Sequence, residues 1–499
     1  MIPRPSLLLL AAGLLLASCT ATNRGAPAGG GQTRPNVLLI VVDDQGYADF
    51  SPLPNYNGQA PTTAAARLAA RGTVYTQAYV SAPVCSPSRA GLLTGKNQFR
   101  WDGPASWGPG LPDSVRTLAE YLRAAGYRTA RIGKNDLGRN FHAKYDRREY
   151  PLQHGYQEFL GFNAHAHDYW LLDEASRART PDPYGTSAVL GPLLHNEGER
   201  SYPTGYLTNI ITDEAIRYLQ APTASANPYF LTVAYSAVHH LIHEVPTEYL
   251  LRYGVDSLPT YDPADSPAYG RHPTGSYSAY YDKYSRLGAI SEGPLRRYYL
   301  ANLHCLDDNL GRLLDAVENT DRETLIIYLS DNGGSPLTGA DNAPLAGGKY
   351  SLWEGGIRVP LVVSWPGHFA AGAREDRVVS ALDVLPTVAA AAGVRPDDPH
   401  LDGRPLTDPD PDRLLVWKWQ KTWAVRRGRY KLTNTNENHW KSRPSAQYIA
   451  PISDSLTLKL FDLETDPGER HDLAAARPDL VRELAAAYQE WCDENLRQY

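Results

Sequence analysis

Two acidic pairs each follow an apolar run and lead into glycine: Asp43-Asp44 after Asn36 to Val42, and Asp331-Asn332 after Thr324 to Ser330. Alone, such a pair is more often a turn; two of them at strand ends favour a site. Asp43, Asp44, Asp331 and Asn332 are all-oxygen donors, the kind that Ca2+ or Mg2+ takes. A third segment, Cys85-Ser86-Pro87-Ser88-Arg89, places a thiol just before a helix whose first turn suits Pro87, with Arg89 one turn further in. That end of a helix favours negative charge, so Cys85 reads as a nucleophile candidate beside an anion site. His240-Leu-Ile-His243-Glu244 superficially suggests zinc, but its order is neither H-E-x-x-H nor H-x-x-E-H.

The elements that must position these groups follow from pattern. Asn36 to Val42 is a continuous Val, Leu and Ile run, as expected of a strand buried on both faces of an α/β sheet. Thr324 to Ser330 repeats it, and Tyr229 to Tyr235 and Val359 to Trp365 are further strands. Helices are expected at Thr62 to Arg71, Val115 to Ala125 and Tyr298 to Val317. Alternating strands and helices predict a mainly parallel sheet with helices on both faces, and ligands bind beyond the carboxyl ends of such strands. From about residue 400 short alternating segments (Leu414 to Trp419, Trp423 to Arg427, Tyr430 to Thr433, Leu456 to Phe461) precede a helix from Pro478 to Arg497. These predict a small antiparallel sheet with a packed helix. The Pro- and Tyr-rich stretch 255–295 is expected to be a structureless loop lining a substrate cleft.

Composition limits the alternatives. The 499 residues carry 49 Lys+Arg against 55 Asp+Glu, a net charge of −6, which excludes a basic protein that coats nucleic acid. Tyr (32) and Trp (10) outnumber Phe (8), which suits wet clefts and carbohydrate contact. Residues 1–18 read as a secretory signal ending Leu16-Ala17-Ser18-Cys19, a sequence that resembles a bacterial lipobox. The expectation is an exported protein, lipid-anchored to the cell envelope through Cys19, with 19–34 as a flexible tether. A catalytic domain over 35–400 and a C-terminal subdomain over 401–499 would follow. Cys305 and Cys492 either pair or are two buried thiols.

The segment Cys85-Ser86-Pro87-Ser88-Arg89-Ala90-Gly91-Leu92-Leu93-Thr94-Gly95 resembles C-x-P-S-R-x-x-L-L-T-G, the signature of the type I sulfatases. Gly347-Gly348-Lys349 with Glu354-Gly355-Gly356-Ile357-Arg358-Val359-Pro360 resembles that family's G-G-K and E-G-G-x-R-V-P. Leu460 to Glu469 resembles its L-Y-D-L-x-x-D-P-x-E. The resemblance runs from about residue 35 to the C-terminus. It implies an alkaline-phosphatase-like fold: a large mixed, mainly parallel sheet plus the small C-terminal sheet. It also implies hydrolysis of a sulfate ester, with a sulfated carbohydrate or an aryl sulfate as substrate.

By the same resemblance Cys85 is oxidised by a formylglycine-generating enzyme, and the hydrated aldehyde supplies the attacking oxygen. Asp43, Asp44, Asp331, Asn332 and residue 85 would hold Ca2+, or Mg2+. Arg89, Lys134 and Lys349 would hold sulfate charge, and His239 would protonate the leaving group, although Val238 stands where proline is usual. The family's G-K-W-H-L-G reads here Gly133-Lys134-Asn135-Asp136-Leu137-Gly138, so Asp136 replaces the histidine near the hydrate. Asp136 is then the candidate base, while His165 or His167 could contact sugar or supply the missing imidazole. Two rivals stand beside this reading: a phosphate or phosphonate ester hydrolase of the same superfamily, and a catalytically impaired surface protein that binds glycan.

Overall fold

The computed structural model describes residues 34–102, 110–137, 145–179, 192–200, 205–221, 227–265, 269, 275–285, 292–320, 322–435 and 457–496. The signal segment, Cys19 and the tether up to residue 33 lie outside them, as does Gly138. In chain order the strands of the large sheet are β1 (Asn36–Val42), β2 (Thr73–Tyr79), β3 (Arg128–Lys134), β4 (Glu158–Phe162), β5 (Leu193–His195), β6 (Gly198–Arg200), β7 (Tyr229–Ala234), β8 (Thr324–Ser330), β9 (Arg358–Ser364) and β10 (Ala373–Ser380). They pair in the order β10-β2-β9-β8-β1-β7-β3-β4-β5-β6, with a parallel centre from β8 through β4, antiparallel joins on either side of it, and a parallel β10–β2 pair at one edge.

β1 lies near the middle, fully buried between β8 and β7. Leu38, Ile40 and Val42 face one core with residues of helices Leu207–Leu219 and Glu292–Glu318. Val37, Leu39 and Val41 face a second core with residues of helices Cys85–Thr94, Leu118–Ala124 and Val384–Ala391. A strand buried on both faces has no polar side to alternate, which is why its sequence reads as one apolar run.

Three expectations about helices are corrected. The helix expected from Val115 starts at Leu118, because the Thr117 side chain accepts from Glu120 N–H at 3.3 Å and Glu120 Oε2 accepts from Thr117 N–H at 2.8 Å. The long helix spans Glu292–Glu318, beginning six residues before the expected start. The stretch 255–295 is not a structureless loop: it contains a helix over Ser276–Ser285. Tyr277, Tyr280, Tyr281 and Tyr284 recur at helical spacing there, and all but half-buried Tyr281 are buried among one another and Tyr261 and Tyr269.

The second sheet is antiparallel, in the order β11 (Leu414–Trp419), β12 (Thr422–Arg427), β13 (Tyr430–Thr433), β14 (Lys459–Asp462). Helix Pro478–Asn495 packs on it through Leu484 and Tyr488 against Val416, Val425, Leu432 and Leu460. Cys305 and Cys492 are free thiols, so the paired alternative is not formed. Among the described residues no helix is long and apolar enough to cross a membrane.

A buried ion cluster ties the two sheets together. Lys431 of β13 is fully buried, with Glu354 Oε1 at 3.0 Å and Glu469 Oε1 at 2.8 Å from its Nζ. Glu469 Oε2 accepts from Glu354 N–H at 2.6 Å, and Glu354 Oε2 accepts from the Tyr79 hydroxyl of β2 at 2.5 Å. Removing the only lysine between two buried carboxylates leaves them facing each other without water. Lys431→Ala is therefore expected to lower unfolding stability by about 3–5 kcal/mol, read from urea denaturation curves.

Candidate active site

The parallel register of β1 with β8 sets Val42 opposite Ser330, so both acidic pairs emerge side by side at the carboxyl edge of the sheet. Asp44 N–H approaches Asp331 Oδ1 at 3.4 Å, and Asn332 Nδ2 donates to Asp44 Oδ1 at 2.7 Å. Asp44 takes a left-handed backbone with φ 59°, a conformation aspartate tolerates better than most side chains. Gly333 is required for close approach: a Cβ there would stand 1.8 Å from the Gly355 carbonyl oxygen. That contact presses the 331–334 turn against the loop that carries Lys349, whose N–H donates to the Gly334 carbonyl at 3.1 Å.

Cys85 is the first residue of helix Cys85–Thr94, one position further in than the expected place before it, with Val84 as the capping residue. Every residue of this helix is buried. Cys85 Sγ lies 3.5 Å from Asp43 Oδ1. One turn on, Arg89 Nε donates to Asp331 Oδ2 at 2.8 Å and its Nη1 donates to the Lys134 carbonyl at 3.2 Å. Lys134, at the end of β3, places Nζ 2.6 Å from Asp43 Oδ2 and 3.2 Å from Asp136 Oδ2. Lys349 Nζ lies 2.8 Å from Asp44 Oδ1, and His239 Nε2 lies 3.9 Å from Asp44 Oδ2. The structure thus brings Asp43, Asp44, Cys85, Arg89, Lys134, Asp136, His239, Asp331, Asn332 and Lys349 into one connected group, all buried.

The charges in this group control one another. Burial, reinforced by the Asp43 and Asp331 charges and opposed by Lys349, pushes Asp44 up to about 7. Burial and Asp43 also raise Asp331, while Lys134, Lys349 and Arg89 more than offset burial at Asp43 and hold it below the usual carboxylate range. Burial and Asp43 push the Cys85 thiol well up, so unmodified Cys85 stays protonated. Burial, then Lys349, His240 and Lys134, hold His239 neutral.

A hard cation fits this donor set. Ligand atoms of Asp43, Asp44, Cys85 and His239 lie within 4.8 Å of one another, and Asp331 hydrogen-bonds into the same group. Asn332 Oδ1 is buried with no hydrogen-bond partner while its Nδ2 donates to Asp44 and to the Gly333 carbonyl. An orphaned carbonyl oxygen beside crowded carboxylates is what a divalent cation satisfies. In formal charge, the four aspartates outweigh Arg89, Lys134 and Lys349 by one; a divalent cation makes the pocket +1.

Outside this group, His167 is buried, with Nδ1 2.8 Å from the Asp168 carbonyl oxygen and its ring against Phe162; the exposed imidazole of that segment is His165. His243 and Glu244 hydrogen-bond to the Tyr280 hydroxyl, so the zinc-like pattern assembles no zinc set. Arg131 is a residue the sequence reading missed. Buried in β3, it donates to the Lys134 carbonyl at 2.7 Å and the Asn135 carbonyl at 3.1 Å, fixing the turn that presents Lys134 and Asp136. The available signal was an arginine inside a buried parallel strand.

A mixed, mainly parallel sheet of this order, with a buried cluster of carboxylates, basic side chains and Cys85 at its carboxyl edge, defines an alkaline-phosphatase-like fold. Within that class the chain belongs to the sulfatase family: the family's profile matches residues 35–394, and that of the N-sulphoglucosamine sulphohydrolase C-terminal region matches residues 348–490. The chain is 30% identical to human (Homo sapiens) arylsulfatase A over 97% of its length and 89% of that protein's. It is 28% identical to mouse (Mus musculus) N-acetylgalactosamine-6-sulfatase, covering 92% of this chain and 87% of that protein. The crystal structure of Ps i-CgsB in complex with k-i-k-neocarrahexaose superposes with a TM-score of 0.73 at 26% identity, covering 94% of this chain and 95% of that one. The protein is a sulfatase.

Because a cation and a proton compete for Asp44, the apparent Ca2+ affinity is expected to fall about tenfold per pH unit below about 7 and to level off above it. Calorimetric titration at a series of pH values checks this, and affinity flat from pH 5 to 8 contradicts it.

Proposed function

We propose that this chain hydrolyses the sulfate ester of a sulfated carbohydrate, using formylglycine made from Cys85 and a Ca2+ ion held by Asp43, Asp44, Asp331 and Asn332. One observation carries the reading: Cys85 sits at a buried helix start, locked as a protonated thiol, beside Asp43 and in the company of Arg89, Lys134 and Lys349. A protonated, buried thiol is a poor nucleophile, so a site built around it calls for another form of the residue, and the aldehyde hydrate supplies an oxygen in its place. Bound there, a divalent cation would favour ionisation of that hydrate and orient sulfate oxygens. Mg2+ suits the donors less well, since it demands tighter octahedral geometry.

The chain's own groups then divide the work. Arg89 stands on Asp331, Lys134 on Asp43, and Lys349 with His239 beside Asp44, with the charges of Lys134 and Lys349 both felt at residue 85. Their fixed positive charge gains strength as negative charge moves onto the ester oxygen. His239 is neutral before substrate arrives, and an anion placed among Lys349, Lys134 and His239 offsets the positive charge that kept it so. It can then take up and pass on a proton to the departing oxygen.

Pocket charge also bears on the substrate. A sulfate ester is a monoanion, whereas a phosphate monoester near neutral pH is mostly a dianion, so the two load the pocket differently. Phosphonate monoesters are monoanions as well, so matched aryl sulfate, phosphate and phosphonate rates separate the rivals. The carbohydrate assignment is supported by the carrageenan oligosaccharide in the similar Ps i-CgsB structure and the amino sugar in the mouse relative's name. Export and lipid attachment through Cys19, after action of a formylglycine-generating enzyme on the unfolded chain, remain part of the proposal. No nucleic acid partner is expected of it.

Cys85→Ala is expected to cut aryl sulfate turnover by at least about 10^4-fold with the far-ultraviolet spectrum retained. Mass spectrometry of the residue 85 peptide, from a host that matures sulfatases, should show the aldehyde in place of the thiol. A peptide that carries only cysteine in fully active protein sinks the mechanism.

A further inference from the structure

The sulfatase pattern has histidine where this chain has Asp136, which leaves the β3 side of the pocket without an imidazole. The neighbouring strand returns one. β4 runs parallel to β3 with Lys134 opposite Phe162, and Asn135 N–H donates to the Phe162 carbonyl at 2.9 Å. Beyond the strand ends the two segments stay together, since Asn135 Nδ2 donates to Asn163 Oδ1 at 3.0 Å. Asp136 follows Asn135 in a left-handed turn with φ 50°, and His165 follows Asn163 by two residues, so both leave the tied strand ends within a residue or two of that hydrogen bond. Ala164 and Ala166 are buried and His165 between them is exposed, so its ring projects from the end of β4 instead of entering the core. Its surroundings lower the pKa of that ring, burial most of all, and among side-chain charges Asp136 is the strongest and acts the other way, followed by Lys134, Lys349 and Asp43. The ring's own charge is felt by His239 and His240. His165 therefore stands on the rim of the same pocket, on the Asp136 side.

We propose that His165 carries the imidazole function absent from position 136, with Asp136 as the carboxylate that orients the ring and steadies its charged form. This rests on the sulfate ester reading. In the step that frees inorganic sulfate, His165 takes the proton from the free hydroxyl on residue 85. The electron pair of that O–H bond closes the carbonyl, and the carbon–oxygen bond to sulfate breaks with its pair leaving on sulfate. An exposed ring then returns the proton to water, which a buried one at position 136 would do less readily. The arrangement splits over two strands what a single histidine does elsewhere, in the way a carboxylate holds the imidazole of a hydrolase triad.

The test uses the full-length, matured protein with an aryl sulfate. His165→Ala is expected to lower kcat by about 100-fold or more while KM moves by less than about threefold, and adding Asp136→His to it should restore at least about tenfold. A histidine that only shapes the loop would not be replaced by one on the next strand. A second readout needs no turnover: in Ca2+-saturated protein carrying Cys85→Ala, 15N NMR titration of His165 should show a lower pKa after Asp136→Asn. The proposal is overturned if His165→Ala keeps kcat within about threefold of the parent, if Asp136→His brings no rescue, or if Asp136→Asn leaves the His165 titration unmoved. Absence of turnover of any sulfate ester by the matured wild type, with the titration shift present, would sink the sulfate reading and leave the Asp136 and His165 pairing standing.

Discussion

Parallel pairing of β1 with β8 delivers two acidic turns to the same buried edge, and the rest of the site answers that placement. Carboxylates this close, removed from water, repel one another strongly unless cations stand between them. The chain supplies those cations from three separate elements: Arg89 from a helix, Lys134 from the end of β3, and Lys349 from a loop. Arg89 spans Asp331 and Asp43, Lys134 spans Asp43 and Asp136, and Lys349 holds Asp44, so no single cation neutralises the group. Beside these carboxylates the Asn332 side-chain oxygen is buried without a hydrogen-bond partner.

Holding a loop lysine to the tolerance that anion recognition needs requires support from outside the pocket. The 347–353 segment is pinned at both ends: Tyr350 N–H donates to the Pro83 carbonyl at 2.9 Å, two residues before Cys85, and Gly355 N–H donates to the Ala346 carbonyl at 2.7 Å. Glu354 then fastens the segment to the second sheet through Lys431 and Glu469. The C-terminal Asp466-Pro467-Gly468-Glu469 turn, far along the chain from any reacting group, is in this sense part of what aims Lys349.

The central strands and both acidic pairs were legible in the sequence because burial on two faces leaves an unmistakable apolar run, and an acidic turn after such a run has few structural uses. The helix bearing Cys85 was displaced by only one residue, as Pro87 marks a first turn without fixing which residue opens it. The Ser276–Ser285 helix escaped because tyrosine is a weak helix former and prolines surround it, although its rings recur at helical spacing. His165 and His167 could not be ranked from sequence: both lie in the irregular segment beyond β4, and only the folded chain shows His165 exposed and His167 buried against Phe162. Arg131 was passed over for a similar reason, since its partners are backbone carbonyls and backbone partners leave no mark in a motif.

Strand polarity has one further consequence. β1 enters the sheet at Asn36, whose N–H donates to the Glu323 carbonyl, and reaches Asp43 about 23 Å later at a strand rise of roughly 3.3 Å per residue. The chain's point of entry and its reactive pocket are therefore at opposite ends of one rigid rod.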